Sequence, residues 1–172
     1  MKFKTSDITY MSFSIILLIT GGFFLYYMSL VFPVPGSKFI IMSAYLSLVL
    51  FFPIKKIQKI GVMSLISIIF GLILSIFTLF MGISIILTGI LADITTLIFL
   101  RNYNTNKKII LSASFYPLYA YITSIYITNF VTGNLLYNIV ELPIFILVGL
   151  IIFILGIIGS FIGYKINIRI TK

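Results

Sequence analysis

Three side chains on which much protein chemistry depends are missing from this sequence, which has no cysteine, no histidine and no tryptophan. Without cysteine there is no disulfide, no thiol nucleophile and no thiolate metal site, and cysteine usage gives no hint of redox compartment. Acids are nearly as scarce: Asp7, Asp93 and Glu141 are the three carboxylates among 172 residues. With no imidazole and so few carboxylates, a buried transition-metal, haem or triad site lacks ligands and bases. No cofactor is expected, and an enzyme is the least expected class. Charge of either sign is thin, at 9% of residues, against 61% hydrophobic residues and a mean hydropathy of +1.25. That balance belongs to membrane proteins.

What is present is apolar length. Charge-free stretches run from Ile8 to Ser37, Phe39 to Ile54, Ile60 to Ala92, Ile109 to Val140 and Leu142 to Tyr164. Most exceed the roughly 20 residues that span a bilayer. The first is too long for a cleavable signal and no small-x-small site follows it, so none is expected. The formal charge of +9 is divided into short clusters: Lys2 and Lys4; Lys55, Lys56 and Lys59; Arg101, Lys107 and Lys108; Lys165, Arg169 and Lys172. This is the positive-inside pattern. No basic face with interleaved polar surface exists to follow phosphates, so nucleic acid is not an expected partner.

If all four clusters are cytoplasmic, each stretch between them crosses the bilayer an even number of times. Residues 60–100 as one helix would be about 60 Å long, twice the hydrocarbon core, so even this shortest stretch folds back. Three hairpins result. The expected fold is an all-α integral membrane protein, a single domain over 1–172 with six transmembrane helices in a compact bundle and both termini cytoplasmic. The helices are expected near 8–30, 38–54, 60–77, 82–100, 109–130 and 142–165. Turn signals lie between them in "VFPVPGSK" (31–38), "TLFMG" (78–82) and "NFVTGNLLYNIVELP" (129–143). Lys38 is then the one cation outside.

Small residues mark two faces. Ser64, Ser67, Gly71, Ser75 and Thr78 fall on one side of the third helix, and Gly149, Gly156, Gly159, Ser160 and Gly163 on the last. In lipid such residues let backbones approach, either within a bundle or against a partner subunit. The fourth helix aligns Ser84, Thr88 and Thr95; the fifth aligns Tyr119, Thr123, Tyr126 and Phe130, beside Asn129. Tyr126 and Asn129, near the outer end with Asn134, Asn138 and Glu141, either decorate the interface or orient a small, partly aromatic molecule. Lys38, on a loop stiffened by Pro33 and Pro35, either pairs with Glu141 or touches a polar solute. Asp93 is the one ionisable group well inside a span, a functional hypothesis by default. As a structural group it is neutral and hydrogen-bonded, or paired with a base from a cytoplasmic loop. It lies about 12 Å along the helix from Arg101.

The layout resembles the S components, the substrate-binding membrane subunits of energy-coupling factor (ECF) importers of the ABC type, most closely the MptS or Trep_Strep group. Three stretches carry the resemblance: "IKKIQKIGVMSLISIIFGLIL" (54–74), "GILADI" (89–94) before a basic loop, and "GIIGSFIGYK" (156–165). The resemblance implies a cell-membrane protein that captures a vitamin or related micronutrient from outside. It implies delivery with a transmembrane coupling subunit and two ATPases; the chain itself has no Gly-x-x-x-x-Gly-Lys-Ser/Thr loop. Lys38, Ser84, Thr88, Tyr126, Asn129, Asn134, Asn138 and Glu141 are the expected substrate-binding residues. S components commonly dock through an Ala-x-x-x-Ala pattern on helix 1; here "YMSFSIILL" offers Ser12 and Ser14 as coupling-subunit contacts, with Ile16 where a second small residue is expected. Asp93 and Arg101 are expected to serve inner-half architecture or coupling. The alternatives are a non-catalytic accessory or structural subunit of another membrane complex, and a stand-alone ion-coupled carrier built on Asp93.

Overall fold

In the computed structural model, which describes residues 3–31, 36–133 and 142–170, the apolar stretches form six helices. They are α1 (Thr5–Ser29), α2 (Ser37–Ile57), α3 (Val62–Leu74), α4 (Leu79–Phe99), α5 (Asn106–Thr132) and α6 (Leu142–Ile170). Local chemistry fixes several ends. Asp7 accepts the Lys4 backbone N–H at 3.0 Å to open α1, and Thr105 Oγ1 accepts that of Lys108 at 3.4 Å to open α5. Gly61, at φ 99°, supplies the left-handed step into α3 that a side chain would resist.

Five of these helices are long and apolar enough to cross a bilayer; the exception is α3. The expected helix near 60–77 is corrected to 62–74, and its 13 residues reach only about 20 Å. The cause lies at its end. Ser75 Oγ donates to the Leu72 carbonyl at 2.7 Å, and the N–H groups of Ile76 and Phe77 bond three residues back, which tightens the chain out of the α-helix. Thr78 is extended at φ −150°, and α4 begins at once. At other ends the helices outrun the expected limits: α2 to Ile57, α5 to Thr132 and α6 to Ile170.

α2 is the centre of the bundle, packed against α1, α3, α5 and α6, while α4 lies against α3 and α5. Leu46, Val49, Leu50, Phe51 and Ile54 of α2 share one buried cluster with Met11, Ile15 and Leu18 of α1 and Val62, Met63 and Ile66 of α3. Both small-residue faces are used inside the bundle. A Cβ on Gly82 of α4 would lie 2.6 Å from the Gly71 carbonyl of α3. On α6, Gly159 sits directly on the backbone carbonyl of Ala44, and a Cβ on Gly163 would lie 3.2 Å from the Phe51 ring. These contacts bring backbones as close as lipid-embedded helices allow.

A proline explains one cross-helix bond. Pro117 lies inside α5 and has no N–H for the carbonyl four residues back, that of Ala113. Ser47 Oγ of α2 donates to that carbonyl at 3.1 Å, so the freed acceptor is satisfied within the bundle.

The alternating helices carry the basic clusters to one end. Lys59 pairs with Asp7 at 3.0 Å, Lys55 Nζ donates to Asn106 Oδ1 at 2.6 Å, and Tyr164 packs on Phe51. The starts of α1, α3 and α5 and the ends of α2, α4 and α6 therefore form a common basic end. Lys38 lies at the opposite end, its ammonium 5.0 Å from the centre of the Phe39 ring.

Candidate functional site

Asp93 of α4 is 4% exposed and points at the start of α3. Its Oδ2 accepts the Ser64 backbone N–H at 2.7 Å and the Ser64 hydroxyl at 2.6 Å; its Oδ1 accepts the Tyr103 hydroxyl at 3.0 Å. Ser64 is the third residue of α3, where a backbone N–H has no partner within its own helix. The carboxylate thus caps a neighbouring helix, where the positive end of that helix dipole favours it. Asp93 is hydrogen-bonded, which is the part of the two structural expectations that the geometry bears on, and a helix start takes the place of a basic side chain. Burial, then the charge of Asp93, pushes the Tyr103 phenol well up from its ordinary value, so it remains a donor.

Arg101 stands apart from this node. It is exposed, and its backbone, at φ 62°, forms the left-handed exit from α4 while its N–H bonds the Thr96 carbonyl at 2.9 Å. The loop after it is fixed by Lys108, whose Nζ donates to the Leu100 carbonyl and to Asn102 Oδ1, both at 2.9 Å.

Between α4 and α5 runs a ladder of hydroxyls. Thr95 Oγ1 and the Tyr119 hydroxyl are 2.5 Å apart, Thr88 Oγ1 and Thr123 Oγ1 2.8 Å, and Ser84 Oγ and Thr123 Oγ1 3.1 Å. Ser67 of α3 adds a bond to the Tyr116 hydroxyl at 2.9 Å. Ser84 and Thr88 are both buried and spend their hydroxyls on holding the two helices together.

Above them α4 ends and α5 continues. From the Ser84–Thr123 contact α4 has five residues left to its start at Leu79, whereas α5 has nine to Thr132. At 1.5 Å per residue α5 overtops α4 by about 6 Å. The α5 face that meets α4 through Tyr119 and Thr123 carries on through Tyr126 and Phe130, which are 56% and 93% exposed. Asn129 beside them is half-buried. The turn between α3 and α4 is recessed on its other side too, since Phe77 packs edge-on against Phe23 of α1 at 5.7 Å, six residues before α1 ends. Among the described residues, the end away from the basic clusters therefore has a step, floored by the α3–α4 turn and flanked by α1 and α5.

Of the expected binding residues, Tyr126 and Asn129 border this step, Ser84 and Thr88 lie beneath it, and Lys38 stands at the same end on α2. Asn134, Asn138 and Glu141 lie outside the described residues. On α1, Ser12 is exposed, whereas Ser14 is buried and bonds the Tyr10 carbonyl at 2.9 Å. Tyr103 and Ser47 were not singled out by sequence. The signal for Ser47 was Pro117, which announces a carbonyl in need of a donor; nothing local announced Tyr103.

Among the described residues no three of His, Cys, Asp and Glu come together as a metal site. Compared with protein-family models, curated proteins and solved structures, the chain matches none.

Proposed function

We propose that this chain is the substrate-binding membrane subunit of an importer of the ECF type, set in the cell membrane with six crossings and both termini cytoplasmic. The observation that carries the reading is the asymmetry of the two ends. One end gathers the basic clusters and is tied together by the Asp7–Lys59, Lys55–Asn106 and Lys108–Asn102 bonds. The other is stepped, with Tyr126 and Phe130 of α5 exposed beside the α3–α4 turn. A small solute with a ring and polar edges fits such a step, with Tyr126 and Asn129 at its border and Lys38 at the same end of the bundle. The exposed Ser12 face of α1 is open to a coupling subunit, which with two ATPases would supply the energy.

Asp93 weighs against a stand-alone ion-coupled carrier. Both its oxygens are committed to Ser64 and Tyr103, as a structural acceptor requires. Co-expression with a coupling subunit and its ATPases, followed by purification and mass spectrometry of retained small molecules, tests the reading. The expected outcome is a stable complex that carries a solute. A chain that associates with no such module, and purifies with other membrane proteins instead, belongs to the accessory-subunit class. Uptake in vesicles without ATP that is lost in Asp93→Asn would favour the carrier.

A further inference from the structure

A groove of about 290 Å³ opens on the flank of the bundle between α5 and α6, away from the step described above. Its walls are rings. Tyr121 of α5 stacks on Phe145 of α6 with centres 5.0 Å apart, and Phe115 of α5 packs on Phe153 of α6 at 5.3 Å. Phe145, Gly149 and Phe153 follow at intervals of four on α6, so the glycine lies between the two ring pairs and leaves the gap. A Cβ there would meet Leu118 Cδ1 at 3.4 Å, an ordinary contact, so neighbouring backbone does not demand this glycine. Gly159 and Gly82, by contrast, are pressed against carbonyls.

A charge lies beyond one end of the groove. Tyr121 packs edge-on against Phe39 at 5.6 Å, and the Lys38 ammonium lies 5.0 Å from the centre of that Phe39 ring. Gly36, just before Lys38, approaches so closely that a Cβ would lie 3.4 Å from Tyr121 and 3.3 Å from Val148. The start of α2 thus rests on Tyr121, at the upper end of the groove, and holds beyond the Phe39 ring the one cation that the described residues bring to this end. Every other described Lys or Arg belongs to the basic clusters.

We propose that the α5–α6 groove binds a membrane-partitioned carboxylate with a flat unsaturated body, its rings against the Tyr121–Phe145 and Phe115–Phe153 pairs and its carboxylate at Lys38. Four features select this class. The lining is wholly apolar and opens on the flank between the exposed side chains of Ile146 and Leu150, so the ligand arrives from lipid. Aromatic walls favour a planar partner, which stacks on or abuts ring edges. The volume is at the lower limit of small-molecule sites, enough for a few fused rings and too little for a whole phospholipid. The lone ammonium above selects an anionic head. The inference is independent of the importer reading and needs no coupling subunit.

The test uses the full chain alone in phosphatidylcholine nanodiscs, with pyrene-1-butyrate as the probe, pyrene-1-butanol as its neutral counterpart and empty discs as background. Saturable fluorescence change above empty discs is expected for both probes, tighter for the acid. Lys38→Gln should weaken the acid about ten-fold and leave the alcohol within about two-fold. Gly149→Leu should abolish both, and Gly149→Ala, a milder filling that the contacts tolerate, should weaken both while leaving the melting temperature unchanged. No binding above empty discs overturns the site. Unchanged binding in both Gly149 variants places the probe elsewhere and also overturns it. Equal loss of acid and alcohol in Lys38→Gln refutes the anionic selectivity. Failure here leaves co-purification with an ATPase module untouched, and failure of that association leaves this binding untouched.

Discussion

Asp93 owes its place to geometry that its own helix does not reveal. In sequence it is a lone acid in "GILADI", and sequence alone identifies it as costly and in need of a partner. The partner is a backbone N–H at the start of α3, 29 residues earlier, together with Ser64 Oγ and a tyrosine ten residues later. Helix starts offer donors without any residue-specific signature, which is why the partner was not legible although the need for one was. The cap has a measurable signature. Asp93→Ala strands a partly buried N–H and a buried phenol and should lower unfolding stability in detergent by about 2 kcal/mol. Ser64→Ala removes only the hydroxyl and keeps the capped N–H, so it should cost under about 1 kcal/mol. Chemical unfolding of the three proteins, followed by helical circular dichroism, checks this ordering. Equal losses would mean that the hydroxyl, and not the helix start, is what Asp93 holds.

At the scale of the element, the small-residue faces were legible as faces and not as partners. Spacing marked Ser67 and Gly71 on α3 and Gly156, Gly159 and Gly163 on α6. It could not say that the first meets α4 and the second α2 and α5, because glycine permits approach by any backbone. The length of α3 escapes the sequence for a related reason: its apolar run continues through Ile76 and Phe77, and only the bonding of Ser75 and the extended Thr78 end the helix earlier. Pro117 and Ser47 give an element-level prediction with an internal control. Ser47→Ala removes the donor to the Ala113 carbonyl and should destabilise the protein by about 1 kcal/mol. In a Pro117→Ala background, α5 has its own N–H for that carbonyl, so the same Ser47→Ala change should cost less by about half or more. Four melting curves close the cycle. Additive losses would show that Ser47 acts through packing and not through the carbonyl that proline frees.

For the whole molecule, the decisive quantity is how the chain is threaded, and the absence of cysteine makes it directly measurable. The clustering of Lys and Arg, read from sequence, and the gathering of those clusters at one end of the bundle are separate facts that agree. A six-helix polypeptide could have dispersed them, and the Asp7–Lys59 and Lys55–Asn106 contacts show that it does not. The 20-Å reach of α3 is the one feature that strains a six-crossing path. The turn after α3 is entirely apolar at Ile76 and Phe77, which are 83% and 64% exposed, and it lies level with Phe23 instead of with the end of α1. On the six-crossing path proposed above, α3 and α4 would turn back short of the far face, with Ile76 and Phe77 at hydrocarbon depth. Single-cysteine variants separate the possibilities. Lys59→Cys, Lys107→Cys and Lys165→Cys should all react with an impermeant maleimide from one face of the membrane, and Lys38→Cys from the other. Phe77→Cys should resist the impermeant reagent from both faces and yield to a lipid-soluble one. Reaction of Phe77→Cys from the face that labels Lys59→Cys would mean that α3 and its turn never enter the bilayer, leaving the α3–α4 pair outside the bundle that the Ser67–Tyr116 and Ser84–Thr123 contacts with α5 require.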